Sequence, residues 1–406
     1  MPYTYQIFDS IEDVDLASWE RVRSESAASI FTDPRFIAAA EAGMKQNCRF
    51  WYVIVYDDDR PAAGACLTAM TIDLADLADP RLAWLIRRMP GILSRFRKLK
   101  VMMCGLPGSP GEKCLALTPM NVNAQVLSLL DAAICGLAAR SAMDVIGFKE
   151  FGRDDLEWMN PLLGLGYRCI PSLPMHLFRP SFPDFSHYCA ALKTRYRQQI
   201  NRSTRKLANT GVELAVLTDP QDILRAYTPQ VHALYYQMAA KADLNLEILP
   251  IEFFQEVTSR LGGQIELIAY SKDSRIIAFG WCLHAGATYS MLYAGLDYQL
   301  NDELDLYFNL MYAGLDRALR KGVSRIEVGQ SAGVFKARLG CYSEPLYVFA
   351  KGLGPLMSRI IHYGAGLLIA QVPAHPPSDI FKSGFKDGVD IVRGGIKPIH
   401  HGSPVS

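Results

Sequence analysis

The sequence predicts an α+β protein in which two similar units follow one another along the chain. Its 406 residues, 50% of them hydrophobic, are enough to bury the cores of two or three domains. One order of predicted elements occurs twice: a hairpin, a strand, a long helix, a strand, a short helix and a strand. A short motif repeated at the same position in both halves supports duplication: LGY at 165–167 is followed by Pro171, and LGC at 339–341 is followed by Pro345.

The first half is predicted to contain a β-hairpin followed by alternating strands and helices. FWYVIVY and AAGACLTAM, rich in strand-forming residues, flank a turn at residues 57–61. Thr118 and Pro119 predict the N-cap and the first position of a long helix. The remaining predicted elements are a strand at 99–104, a strand at 144–149, a short helix at 154–163 and a strand at 167–178.

The second half is predicted to begin with two helices, at 191–209 and 223–240, ahead of its own hairpin. That hairpin joins IELIAYS to IIAFGWCLH across residues 272–275. The later predicted elements are a strand at 288–295, a helix from Asn301 to Lys321, a strand at 324–328, a short helix at 332–339 and a strand at 346–349. The predicted domains are 1–180 and 181–350, with a C-terminal extension at 351–406.

Composition and charge exclude several classes of protein. Lys and Arg number 42 against 41 Asp and Glu, so the net charge is +1, which argues against DNA as a partner and leaves local patches to consider. The nine Cys never occur as Cys-x-x-Cys, which predicts a reduced compartment and neither a metal site nor a disulfide framework. No Gly-x-Ser-x-Gly or His-Glu-x-x-His motif supports a serine or metal hydrolase.

The N-terminal segment and the apolar windows predict a cytoplasmic protein. Acidic residues at 9, 12, 13 and 15 lie where a signal peptide needs a basic start and an apolar run. The nearest candidate for a membrane span, residues 354–370, is interrupted by Arg359 and His362. Residues 81–100 mix seven Lys and Arg with Trp, Leu and Phe, which suits either peripheral contact with a membrane or a loop packed on the sheet.

Two short motifs in the second half carry a family resemblance: GQSAGVFKARLG at 329–340 and YAGLD at 293–297. Together with the order of elements, they make the chain similar to the GNAT acyltransferase superfamily. The chain more closely resembles its tandem branch, which contains Fem-type peptidoglycan aminoacyl transferases and BioF2-like acetyltransferase domains. The resemblance extends over residues 1–350 and is best at 190–350. It implies a mixed, twisted sheet with helices on both faces in each unit.

The resemblance also implies a reaction, the transfer of an acyl or aminoacyl group from a thioester or tRNA ester to an amine. The implied co-substrate is acyl-CoA or aminoacyl-tRNA, with no tightly bound cofactor. The implied acceptor is an amine of a small molecule or of a cell-envelope precursor. A rival interpretation is a non-catalytic protein whose duplicated fold binds an anionic partner or a membrane surface.

Acyl transfer to an amine needs a group that accepts the amine's proton and donors that stabilise the tetrahedral oxyanion. Tyr293 and Asp297 share the parity of one strand face, so Asp297 is a candidate base and Tyr293 a candidate proton donor. Glu327 is the competing base, because a carboxylate among apolar strand neighbours is expected to have a raised pKa. Lys336 is a candidate for stabilising a phosphate or the oxyanion. The structural alternatives are a turn residue at 297, a packing residue at 293, a partnered carboxylate at 327 and a solvated lysine at 336.

The helix predicted at 191–209 concentrates positive charge. No Asp or Glu occurs between Asp184 and Glu213, while Tyr196 and Ile200 belong to an apolar stripe on one face. Exposed helices ordinarily mix both signs, so the expected partner is phosphate of a tRNA, a coenzyme or a lipid, with a solvated basic face as the alternative. The candidate phosphate-binding residues are Lys193, Arg195, Arg197, Arg202, Arg205 and Lys206.

A glycine-rich loop is the second candidate for phosphate binding. Gly105, Gly108 and Gly111 precede the helix predicted at Pro119, whose first ten positions hold no acidic residue. In the second half the equivalent helix begins NDELD at 301–305, and its carboxylates would repel a diphosphate. A coenzyme phosphate is therefore expected in the first half. The alternative is a structural loop stiffened by two prolines.

Overall fold

A computed structural model gives the arrangement of these elements. It describes residues 3–26, 29–76, 84, 86–88, 97–118, 124–241, 248–368 and 379–382. Within these ranges the chain forms two sheets and fourteen α-helices, which confirms the predicted α+β class with two units. Each sheet is mixed, because it contains one parallel pair of strands among antiparallel pairs.

In the described part of the chain, the first sheet has eight strands. They are β1 (Tyr3–Phe8), β2 (Arg49–Asp57), β3 (Arg60–Asp73), β4 (Lys98–Cys104), β5 (Leu115–Leu117), β6 (Val145–Gly152), β7 (Arg168–Pro171) and β15 (Leu346–Gly352). Their order is β1-β2-β3-β4-β6-β15-β7, and β5 pairs with β3 beside this path. The parallel pair is β4 and β6.

The second sheet has seven strands. They are β8 (Met175–Phe178), β9 (Glu213–Leu217), β10 (Ile265–Lys272), β11 (Arg275–Ala285), β12 (Thr288–Leu296), β13 (Arg325–Glu327) and β14 (Tyr342–Glu344). Their order is β14-β8-β13-β12-β11-β10-β9, and the parallel pair is β12 and β13.

The helices cover both sheets. In the first half they are α1 (Leu16–Glu25), α2 (Pro34–Met44), α3 (Ala124–Arg140), α4 (Leu156–Met159) and α5 (Pro161–Gly164). The following helices are α6 (Phe185–Ala191), α7 (Thr194–Leu207), α8 (Pro220–Ala226), α9 (Pro229–Ala240), α10 (Ile251–Leu261), α11 (Tyr298–Leu304), α12 (Leu306–Arg320), α13 (Gly333–Arg338) and α14 (Gly354–Leu368). None of the helices in the described part of the chain is long and apolar enough to cross a membrane.

The two sheets exchange a strand, which corrects the predicted domain boundaries. β8 lies between β13 and β14 in the second sheet, although it precedes the second unit in the chain. β15 lies between β6 and β7 in the first sheet, although it follows the second unit. Boundaries at residues 180 and 350 therefore assign each of these strands to the wrong unit. The strand predicted at 167–178 is likewise two strands, β7 and β8, which belong to different sheets.

The two units share one hydrophobic core, in which α2 packs against α10. A Cβ atom at Gly43 would lie only 2.5 Å from the Cα atom of Phe253, so the two helices are in close contact. The ring of Phe253 also meets Phe36 edge to face, with ring centroids 6.2 Å apart. Aromatic surface buried from both sides fixes the units against each other and positions the cleft between them.

The observed helices differ from the predicted ones in detail. The basic helix is present as α7. The helix predicted from Asn301 to Lys321 is two helices, because Asp305 adopts the left-handed conformation with φ of 48° and interrupts it. The helix predicted to start at Pro119 is described from Ala124, and its predicted start lies outside the described residues, as does most of 81–100.

Candidate active site

The parallel strands β12 and β13 are paired over three residues and then separate. Residues 288–290 pair with residues 325–327, after which β13 ends. β12 continues to Leu296 along β11 and carries a bulge in which Leu292 is the extra residue. The separation leaves a gap between β12 and the loop that follows β13.

A cavity of about 130 Å³ occupies this gap, and we call it the slot. Its walls come mainly from β12, from residues 328–331 and from the first turns of α12. Pro110 of the first unit also lines the slot, so the glycine-rich loop reaches the second sheet. The lining is mostly apolar, and Lys336 is its one charged residue among the described residues.

Lys336 is buried in the wall of the slot, with 3% of its surface exposed. Among the described residues, the structure gives its Nζ no hydrogen bond and no ion pair. Burial lowers the pKa of Lys336 to about 7, because the charged form loses its water. The solvated position considered as an alternative is therefore wrong, and the side chain is present both as amine and as ammonium near neutral pH.

Tyr293 lies in the same slot and belongs to an aromatic cluster. Its ring contacts those of Tyr235, Phe254 and Trp281, with centroids 5.9, 5.4 and 6.0 Å away. The structure therefore brings Tyr293 and Lys336 to one cavity, as the candidate assignments require. The packing role proposed for Tyr293 is observed as well.

Glu327 faces a second cavity, of about 470 Å³, which lies between the two units and which we call the cleft. Glu327 is 3% exposed; its Oε2 accepts a hydrogen bond of 2.7 Å from Ser290, and its Oε1 is 2.9 Å from Nε of Arg325. A buried carboxylate needs such partners. Ser290 and Glu327 line the cleft, whereas the residues that follow them, Met291 and Val328, line the slot.

Glu112 is a site residue that the sequence analysis missed. It lies in the first unit, directly after the glycine-rich loop, and lines the cleft together with Glu327. Burial and the negative charge of Glu327 raise the pKa of Glu112 to about 8. Its position after Gly111 is the only sequence signal for it, since the neighbour that perturbs it comes from the other unit.

Asp297 lies at the far end of β12 and takes no part in either cavity. Its side chain caps α11 by accepting from the amide of Gln299 at 3.0 Å, and it lies 2.8 Å from Nη2 of Arg275. Seven residues of extended strand separate it from Ser290, roughly 23 Å at the usual rise. Of the two candidate bases, Glu327 therefore lines a cavity and Asp297 does not, because β13 pairs with the beginning of β12 and not with its end.

The glycine-rich loop is packed rather than open to a phosphate. The amide of Gly105 donates to the carbonyl of Cys66, and that of Gly111 donates to the carboxylate of Glu150. A Cβ atom at Gly108, where φ is 72°, would lie 2.3 Å from the ring of Phe253. The structural alternative therefore describes this loop better than the predicted phosphate site.

The six basic candidates on and before α7 separate into two groups. Lys193 pairs with Asp379 at 2.6 Å and Lys206 with Asp305 at 2.8 Å, so both fix α7 to its surroundings. The remaining four are arginines, Arg195, Arg197, Arg202 and Arg205, with no acidic partner among the described residues. Arg197 is half-buried, and the other three arginines are exposed.

The sequence predicts that the carboxylate of Asp305 repels a diphosphate at the start of the helix predicted from Asn301, but in the structure that carboxylate is already paired. It accepts from Ser203 Oγ and Lys206 Nζ of α7, each at 2.8 Å. These bonds hold α7 against the end of α12 that supplies Tyr307 to the slot. The exposed arginines of α7 are thus carried by a helix fixed next to the slot.

Comparisons with known proteins support the fold. A tandem GNAT protein from the clavulanic acid biosynthesis pathway matches with a TM-score of 0.51 and 10% identity, over 87% of this chain and 99% of its own. The crystal structure of FemX matches with a TM-score of 0.51 and 10% identity, over 86% of this chain and 97% of its own. Residues 194–337 match the family described as acetyltransferase (GNAT) domain. The chain has the tandem GNAT fold.

The resemblance inferred from the two motifs is therefore confirmed for the fold. The GNAT match begins at Thr194, the first residue of α7, and ends one residue after Lys336. Within the tandem GNAT fold it thus contains the basic helix, both separating strands and the lysine of the slot. The comparison with curated proteins gives no significant match.

Proposed function

We propose that the protein is an N-acyltransferase that moves an acyl or aminoacyl group from an activated donor to an amine. The observation that carries this proposal is the slot, a mostly apolar gap between separating strands with the buried amine of Lys336 in its wall. An activated acyl group needs a narrow pocket for its carbon chain, and its carbonyl requires a polar partner during transfer. The slot supplies both environments.

In this proposal Lys336 stabilises the oxyanion. Attack by the amine gives the carbonyl oxygen a negative charge in the tetrahedral intermediate. An ammonium in an apolar cavity interacts with that charge more strongly than it would in water. Because the pKa of Lys336 is about 7, its ammonium form is available near neutral pH.

The acceptor amine reaches the carbonyl from the cleft. In this proposal the amine lies beside Ser290 and Glu327, which line the cleft directly before the residues that line the slot. Glu112 and Glu327 offer carboxyl groups to the amine, and the pKa of about 8 at Glu112 matches that of a base near neutral pH. Tyr293, which lines the slot while its ring packs in the aromatic cluster, is the proposed proton donor to the departing sulfur or oxygen.

The anionic part of the donor is proposed to bind α7. The exposed guanidinium groups of Arg195, Arg202 and Arg205 suit phosphate, and the helix is fixed beside the slot by Lys206 and Asp305. Acyl-CoA and aminoacyl-tRNA are the two donor classes that combine phosphate with an activated acyl group. The proposed acceptor is an amine of a small molecule or of a cell-envelope precursor. In this proposal the protein is cytoplasmic and contacts the membrane surface through residues 81–100.

Binding experiments test the donor assignment. Thermal-shift titrations with acyl-CoA and gel shifts with charged tRNA separate the two donor classes. Val328→Phe should fill the slot and weaken donor binding at least tenfold, because Val328 is 6% exposed in its wall. Val334→Phe is the matched control at a position that is 52% exposed. If wild-type protein binds neither donor and transfers no acyl group, the non-catalytic interpretation replaces this one.

A further inference from the structure

Glu150 and Glu327 begin similar tripeptides on corresponding strands of the two units, although in the parallel ladders it is Gly147 that matches Glu327. Glu150 begins EFG at 150–152 and Glu327 begins EVG at 327–329, each on a strand that runs parallel to the strand before it in its sheet. The two carboxylates have different surroundings, however. Glu327 faces the cleft, whereas Glu150 is turned onto the glycine-rich loop of its own unit.

The backbone at Glu150 is unusual for a residue in a strand. Its φ is 62°, in the left-handed region that residues with a Cβ atom rarely adopt. The register between β6 and β15 shifts here, so that residues 149 and 150 bulge between Phe148 and Phe151. Bulges re-aim side chains next to functional sites. This one directs Lys149 and Glu150 to the same loop, where Lys149 Nζ donates to the carbonyl of Leu106 at 3.0 Å.

The carboxylate of Glu150 joins both units. Its Oε2 accepts from the amide of Gly111 and, at 3.1 Å, from the amide of Glu112. Its Oε1 accepts from Nε2 of Gln330 at 3.0 Å. Gln330 lines the slot from the second unit, and its amide also donates to the carbonyl of Leu173 at 3.0 Å. Glu150 is 8% exposed, so its bonds are made away from bulk water.

These bonds fix residues that line the two cavities. The loop held by Glu150 carries Pro110, which lines the slot, and Glu112, which lines the cleft. The third hydrogen bond of the Glu150 carboxylate, from Gln330, holds that residue in the opposite wall of the slot. A carboxylate is suited to this place, because its two oxygens accept hydrogen bonds from all three N–H groups. A glutamine at position 150 would instead point its own NH₂ group at one of these donors.

We propose that Glu150 is a positioning residue, which holds the loop at 105–112 against Gln330 and thereby sets the width of the slot and the placement of Glu112 in the cleft. This inference rests on the proposed function of those cavities. Glu150 itself touches no reacting atom in this account. Its left-handed backbone is maintained by the bonds that the carboxylate makes on both sides of the unit interface.

Two variants separate the carboxylate from the backbone. Glu150→Gln keeps the side-chain size and the left-handed backbone but loses one acceptor. Glu150→Gly removes the carboxylate and relieves the backbone, because glycine adopts φ of 62° freely. Asp131→Asn is the matched control, since Asp131 accepts bonds from Tyr167 at 2.8 Å and Lys351 at 3.0 Å in the first unit and lines neither cavity.

The readouts need no acyl-transfer assay, so their failure is distinct from failure of the proposed function. Lys336 is labelled with acetic anhydride and quantified by mass spectrometry, and amide hydrogen exchange is followed at residues 105–114. We expect both Glu150 variants to speed labelling of Lys336 and exchange of Gly111 and Glu112 at least tenfold. Asp131→Asn should leave both rates unchanged. Wild-type rates in both folded Glu150 variants would overturn the inference.

A further variant keeps the inference testable if both Glu150 variants fail to fold. Gln330→Ala removes only the partner in the second unit, and the amides of Gly111 and Glu112 retain their acceptor. It should speed labelling of Lys336 severalfold while leaving exchange of those two amides near the wild-type rate. Unchanged labelling in this variant would also contradict the inference.

Discussion

Ser290 and Glu327 form the last pair of the parallel ladder between β12 and β13, and Ser290 Oγ donates a hydrogen bond of 2.7 Å to Glu327 Oε2. Beyond this pair the strands separate and the slot begins. On the other side of the pair lies the cleft. A three-residue strand therefore places one buried carboxylate in the cleft, directly before Val328 in the wall of the slot.

Glu327→Gln tests whether this carboxylate takes part in proton transfer. The variant keeps its shape but loses the charge beside Arg325, which retains Glu344 at 3.4 Å. Initial rates should fall about a hundredfold or more. Urea denaturation should show a loss of about 1–3 kcal/mol in the free energy of unfolding. Asp297→Asn is the matched control, because Asn also caps helices well, and it should keep wild-type turnover. Equal turnover in the two variants would contradict the role of Glu327.

The pattern of the sequence was sufficient for the two units and the basic helix, because these depend on local order and composition, whereas Lys336 was a candidate only through the family resemblance. It was insufficient for Glu112 and Glu150, whose environments depend on contact between residues far apart in the chain. Asp297 illustrates the same limit. Side-chain parity grouped it with Tyr293, but only the pairing register shows that Glu327 lies at the other end of β12.

Lys336 should make stability depend on pH. Its pKa falls from an unfolded value of 10.5 to about 7, so between these values the unfolded chain binds a proton that the folded protein does not. The free energy of unfolding should therefore rise with pH across this window, by up to about 1.4 kcal/mol per pH unit from this group. Lys336→Met should lack this contribution. Parallel slopes for the two proteins between pH 7 and 10 would show that Lys336 titrates normally.

Glu112 should have the opposite effect at lower pH. Its pKa is raised from 4.5 to about 8, so the folded protein retains a proton that the unfolded chain loses between these values. The stability contributed by the protonated form is present at acidic pH and is lost as the pH rises to 8. The melting temperature of Glu112→Gln, relative to that of the wild type, should therefore rise as the pH increases from 4.5 to 8. Glu12→Gln, at an exposed position, should show no such gain.

The arginines of α7 should determine how strongly donor binding depends on salt concentration. Replacing Arg195, Arg202 and Arg205 with Gln should weaken donor binding at least tenfold and flatten its dependence on salt, because phosphate contacts are lost. The matched control replaces exposed Arg21, Arg60 and Arg225 with Gln and should bind as wild type does. Titrations at 50 and 200 mM salt measure both effects. Salt-independent binding by wild type would remove α7 from the donor site.

The rate of acyl transfer by Lys336→Met shows whether the buried amine of the slot takes part in the reaction. Met retains much of the side-chain length of Lys336 but supplies no ammonium to the oxyanion, so turnover should fall about a hundredfold or more while donor binding persists. Lys351→Met is the control, because Lys351 pairs with Asp131 at 3.0 Å in the first unit and lines neither cavity; it should lower stability and keep turnover. Near wild-type turnover by folded Lys336→Met, with the same donor and acceptor, would contradict the placement of acyl transfer in the slot.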